Sequence, residues 1–101
     1  MVRYLSAKGV ERDFELSIEG VLAMEEQDKS FHLVREYSSL TARMRLSSAD
    51  RLCRAMGTSW AEFVEDGFTF NDLISIMGVV LPELGFSDAS ATRLDPPPEG
   101  A

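Results

Sequence analysis

Three times in the second half of this chain a hydroxyl side chain stands three residues before a carboxylate, and each time an apolar stripe of helical period follows. The starts are Ser47-x-x-Asp50, Ser59-x-x-Glu62 and Thr69-x-x-Asp72. A hydroxyl at an N-cap accepts from the N–H three residues on, and a carboxylate at that third position reaches back to the cap, so two orphan donors are satisfied together. The carboxylate also sits at the positive end of the helix dipole. The serine–glutamate pair is the standard form; the aspartates are shorter variants. The first start precedes Ala49, Leu52, Cys53 and Met56, and the second precedes Trp60, Phe63 and Val64. The third precedes Phe70, Leu73, Ile74, Met77, Val80 and Leu81. Gly57 and Gly67 stand where left-handed C-caps are needed, and Pro82 closes the third helix.

Upstream the period changes. Phe14, Leu16 and Ile18 alternate with Glu15, Ser17 and Glu19, the pattern of a half-buried strand. Tyr4 and Leu5 lie in a second extended stretch, and Lys8-Gly9 supplies a turn between the two. A hairpin is the economical reading. It needs a helix on its apolar face, since a lone hairpin is marginal in water. Ser17 can cap a helix whose apolar face is Ile18, Val21 and Leu22 and which ends near Glu25–Asp28. Gly20 weakens that helix by about 1 kcal/mol relative to alanine, so packing must hold it. A further helix is expected from near Ser30 to Arg43, with Val34, Tyr37, Leu40, Thr41 and Met44 inside and Arg35, Glu36 and Arg43 outside. The expected fold class is mainly α (α+β): an N-terminal β-hairpin followed by about five short helices. Residues 1–86 form a single globular domain in this reading. Residues 87–101, ending in Pro96-Pro97-Pro98-Glu99-Gly100-Ala101, carry too little apolar surface to offset chain entropy and read as a disordered, Pro-rich tail.

The totals limit function more than they assign it. One hundred and one residues, 45% of them hydrophobic, suit one core and leave little room for a second domain. Seventeen acidic residues against ten basic ones give a net charge of −7, which disfavours nucleic acid and anionic membranes as partners. The charge is uneven. Residues 29–54 hold six basic residues and two acidic ones, while the segments on either side are acidic. That basic middle reads as solvated helix faces, with an electrostatic footprint as the alternative. Cys53 is the single cysteine, so no internal disulfide can form. Residues 1–15 are too charged for a signal peptide, and the apolar run Leu73–Leu81 is far short of a membrane span. The expected compartment is the cytoplasm.

No catalytic, cofactor-binding or metal-binding set is apparent. His32 is the single histidine, so one chain cannot assemble a zinc-type ligand set. A Cys53–His32 nucleophile pair is disfavoured because Cys53 lies on an apolar stripe, where burial raises a thiol's pKa. Glu25–Glu26 and Glu65–Asp66 are adjacent pairs, and adjacent helix positions do not face one another. The chain therefore reads as no enzyme, and its partner as another protein. Leu73–Leu81 supplies the candidate contact. It is apolar nearly all round, with Ile76 and Val79 off the main stripe and Phe86 close behind. A central helix explains this; so does a protein-binding edge through Ile76, Val79 and Phe86.

Two stretches resemble a known family. Phe14–Glu26, a strand running straight into a helix, is similar to the opening of the small tail assembly chaperones of tailed phages and gene transfer agents. Leu46–Met56 and Phe68–Ile74 are similar to that family's two later capped helices. The likeness covers about residues 5–85. It departs at Gly20, where a small helix former is usual, and at the additional Trp60 turn. The resemblance implies a non-enzymatic helper of virion assembly in the host cytoplasm that binds tape-measure or tail-tube protein. Self-association is left open by it. A rival likeness lies in Asp50–Phe63, which resembles the last two helices of a phage-repressor-type helix-turn-helix domain. The half that should precede it is missing, and an acidic protein binds phosphates weakly. An inhibitor of a host defence protein is a third class, which no residue selects.

Overall fold

The computed structural model of the chain describes residues 1–85 and position 91. Strands β1 (Val2–Leu5) and β2 (Glu11–Phe14) pair antiparallel, with Val2 opposite Phe14 and Tyr4 opposite Arg12. Five helices follow: α1 (Ile18–Gln27), α2 (Leu33–Arg43), α3 (Leu46–Ala55), α4 (Trp60–Glu65) and α5 (Phe70–Glu83). The expected α+β class, one N-terminal hairpin and then five helices, is what the chain adopts. The tail expected over residues 87–101 lies outside the described residues.

The hairpin buries one face. Phe14 is 2% exposed, and its ring meets Phe68 edge-on at 5.3 Å and Phe63 at 5.7 Å. Phe63 and Phe68 stack at 5.0 Å, so the end of β2 and the turn after α4 share one aromatic cluster. The loop between the strands is tied down by Ser6, whose buried hydroxyl donates to the Asp66 carbonyl at 2.6 Å and accepts from the N–H groups of Lys8 and Val10. Arg12 pairs with Asp66 at 2.7 Å on the same seam. On the outer face Arg3 pairs with Asp13 directly across the ladder.

Helix α5 carries the centre of the core. Leu73, Ile76, Met77 and Val80 are fully buried, as are Leu40 of α2, Leu52 and Cys53 of α3, and Phe63 of α4. Each such side chain contributes roughly 1.5–3 kcal/mol by leaving water. Thr69 completes the capping box: its hydroxyl accepts from the Asp72 N–H, and the Asp72 carboxylate accepts from the Thr69 N–H. Ser59 and Ser17 also cap as expected, accepting from Glu62 and Gly20.

Several local expectations are corrected. Strand β2 stops at Phe14, because the Ser17 cap turns the chain into α1 before the alternation reaches Ile18. Ile18 and Leu22, expected inside, are 58% and 55% exposed, and α1 rests on Val21 and Met24 instead. Gly20 explains the rotation. A Cβ there would lie 3.1 Å from the Ala55 carbonyl, so α1 presents its glycine side to the end of α3. Helix α2 starts at Leu33 under a His32 cap, and its buried face is Leu33, Glu36 and Leu40. Val34, Thr41 and Met44 face outward, because Glu36 is drawn in by Arg51 at 2.8 Å. Ser47 caps nothing: α3 begins at Leu46 after Arg45, with no side-chain cap. Val64 is 45% exposed, on the outer side of α4. Pro82 lies within the last turn of α5, and the chain turns off at Gly85 with φ +99°.

Candidate functional site

The two side chains of the nucleophile pair weighed in the sequence, Cys53 and His32, are otherwise employed. Cys53 is fully buried, and burial, with the nearby Asp50 charge, pushes its thiol up to about 12, so no thiolate forms near neutral pH. The ring of His32 accepts from the Arg35 N–H through Nδ1 at 3.3 Å, the role of a helix cap. Asp66 is engaged by Arg12, and the Glu65 carbonyl receives the Lys8 ammonium at 3.1 Å. Among the described residues no cluster of three or more His, Cys, Asp or Glu is arranged to hold a metal ion. No helix among them is long and apolar enough to cross a membrane.

The three residues expected to form a protein-binding edge do not come together. Ile76 is fully buried in the core beside Met77 and Val80, so it is not offered to a partner. Its place off the sequence stripe misled because α5 is enclosed on more than one side, by the hairpin as well as by α2. Val79 is 42% exposed. Phe86 lies outside the described residues.

The exposed apolar surface lies elsewhere. Ile18 and Leu22 stand one turn apart on the outer side of α1, and together with Val21 and Leu84 they line a shallow cleft of about 260 Å³. Leu84 follows the last turn of α5, and the chain start is held nearby by an ion pair from the Met1 ammonium to Glu83 at 2.8 Å. Carboxylates border the apolar pair: Glu19, Glu25 and Glu26 are all exposed on α1, and none joins an ion pair with a described residue. The Ser17 cap was legible in the sequence, but the side that α1 turns inward depends on the contact of Gly20 with Ala55. Ser17 as N-cap makes Ile18 the first helical residue, and a face centred on Gly20, Val21 and Met24 leaves Ile18 and Leu22 outside.

A second surface has the opposite charge. Ser38, Ser39 and Ala42 form the floor of a groove of about 400 Å³ on α2, with Arg35, Arg43 and Arg45 around it. These arginines make no ion pair with any described residue, whereas Arg3, Arg12, Arg51 and Arg54 all do. The two acids of the basic middle segment are accounted for: Glu36 is buried against Arg51, and Asp50 pairs with Arg54. The outer side of α2 therefore carries no free carboxylate. Compared with family models, with curated proteins and with solved structures, the chain matches none of them.

Proposed function

We propose that this chain is a non-catalytic protein-binding module, a tail assembly chaperone that holds tape-measure or tail-tube protein during virion assembly. The observation that carries the reading is the outer face of α1, where Ile18 and Leu22 are more than half exposed beside the Leu84 cleft. Two large aliphatic side chains one turn apart, rimmed by carboxylates, have the anatomy of a contact surface: an apolar centre with a polar rim. The passage from β2 through the Ser17 cap into α1 supports the resemblance on which the partner's identity rests. The inert Cys53 and the capping role of His32 fit a protein that acts by binding.

The test is co-expression with a tape-measure or tail-tube protein. Ile18→Asp with Leu22→Asp alters only exposed positions, so the variant keeps its circular dichroism and melting temperature while losing the complex. Retention of the complex by the folded double variant would place the contact elsewhere and remove the reading.

A second reading, a DNA-binding regulator, is favoured by one observation: α3 and α4 pack together across Gly57, which has φ +86°, with Ser59 capping α4. Against it, the exposed side of α4 carries Ala61, Glu62, Val64 and Glu65, with no cation for phosphate or guanine. Sequence-dependent duplex binding at physiological salt would reverse the order of the two readings.

A further inference from the structure

We infer that copies of this chain associate head to tail, the acidic outer face of α1 in one copy lying in the arginine groove of α2 in the next. The inference rests on the reading of α1 as a contact surface and names a second copy as one of its partners. On α1, Ile18, Leu22, Glu19 and Glu26 share the side opposite Val21 and Gly20, with Glu25 at its edge. On α2, the small residues Ser38, Ser39 and Ala42 lower the floor between Arg35, Arg43 and Arg45, so another helix can approach closely.

Charge matches in number and sign. Three exposed carboxylates on one helix and three exposed guanidiniums beside another lack partners among the described residues, in a chain that pairs most of its other arginines. A guanidinium fork takes a carboxylate through two parallel hydrogen bonds, which gives the contact direction as well as attraction. Apolar residues accompany both faces. Val34, Met44 and Leu46, next in sequence to Arg35, Arg43 and Arg45, are 42%, 53% and 59% exposed, and Ile18 and Leu22 stand among the carboxylates. Nucleic acid is the poorer occupant, because a row of phosphates offers nothing apolar to Val34, Met44 and Leu46, whereas the α1 face of a second copy brings Ile18 and Leu22 among its carboxylates.

The two faces lie on different helices, and no ion pair joins them within a copy. Repeated in one direction from copy to copy, the contact is heterologous and builds a ring if the rotation closes or a filament if it does not.

Reciprocal charge reversal tests this. At low ionic strength the weight-average mass of the wild type in sedimentation rises with concentration, and the rise is suppressed at about 0.5 M salt. Arg35→Glu with Arg45→Glu makes both faces acidic, and Glu19→Arg with Glu26→Arg makes both basic. Each variant alone associates at least about tenfold more weakly, and an equimolar mixture of the two regains the association. A wild type that stays monomeric overturns the inference, as does a mixture that fails to regain association, or a groove that instead takes duplex DNA. Those results leave the α1 contact with a tail protein untouched, because that is read separately from the complex with the Ile18→Asp, Leu22→Asp variant.

Discussion

The carboxylate of Asp50 accepts the backbone N–H of Trp60 at 3.1 Å, tying the middle of α3 to the first residue of α4. Its other oxygen takes the Arg54 guanidinium at 2.7 Å, one turn further along α3. One side chain thus satisfies a helix-start donor of its neighbour and an arginine of its own helix. Burial acts to raise the Asp50 pKa, but the hydrogen bonds from Arg54 and Trp60 outweigh it, and the carboxyl titrates below its ordinary 3.8.

A depressed folded pKa contributes stability that is present above the unfolded value and is lost as pH falls through the folded one. Asp50→Asn is therefore expected to be less stable than the wild type at neutral pH, by about 1 kcal/mol. That gap closes as the solution is acidified below the ordinary carboxylate range. Urea midpoints for both proteins across the acid range check it, and a gap that stays constant down to about pH 2 would mean that the Asp50 charge does not contribute.

Ile76 and Val79 sit three residues apart on α5 and are expected to answer oppositely to the same change. Ile76→Asp places an unpaired carboxylate in the core and abolishes folding. Val79→Asp, at a position 42% exposed, shifts stability by no more than about 0.5 kcal/mol. Leu73→Ala and Met77→Ala, at fully buried positions, each cost about 2–5 kcal/mol. Thermal melts of the four variants suffice. Similar losses for Ile76→Asp and Val79→Asp would contradict the placement of α5.

Gly57 and Gly67 both have positive φ, +86° and +100°, but only one is crowded. A Cβ on Gly57 meets nothing within 4 Å, whereas one on Gly67 comes within 2.8 Å of the Lys8 side chain and 3.0 Å of its backbone nitrogen. Gly57→Ala is expected to cost about 1 kcal/mol, the strain of a left-handed alanine. Gly67→Ala should cost clearly more, because the hairpin loop must also withdraw from α4. Equal chemical denaturation midpoints for the two variants would show that the loop is not docked there.

The features legible along the chain are those decided within about one helical turn. A hydroxyl bonding an N–H three residues away acts within one turn, so Ser17, Ser59 and Thr69 cap where their spacing places them, while Ser47, with the same spacing, caps nothing and its Asp50 is engaged by Trp60 and Arg54. Gly57 and Gly67 take left-handed conformations that side chains resist, so they mark helix ends without reference to any neighbour. The inertness of Cys53 likewise followed from its apolar stripe. Which way each helix faces was settled only by partners distant in sequence. Arg51 draws Glu36 inward and rolls Val34 and Met44 out. Close approach to Ala55 turns the Gly20 side of α1 inward and leaves Ile18 and Leu22 exposed. The Trp60 N–H engages Asp50, which takes no part in capping its own helix. Enclosure of α5 by the hairpin and α2 buries Ile76. An apolar stripe gives a helix a broad range of acceptable orientations, and a single long-range hydrogen bond or close backbone contact selects among them. The candidate contact surfaces of this protein are the faces which that selection left outside.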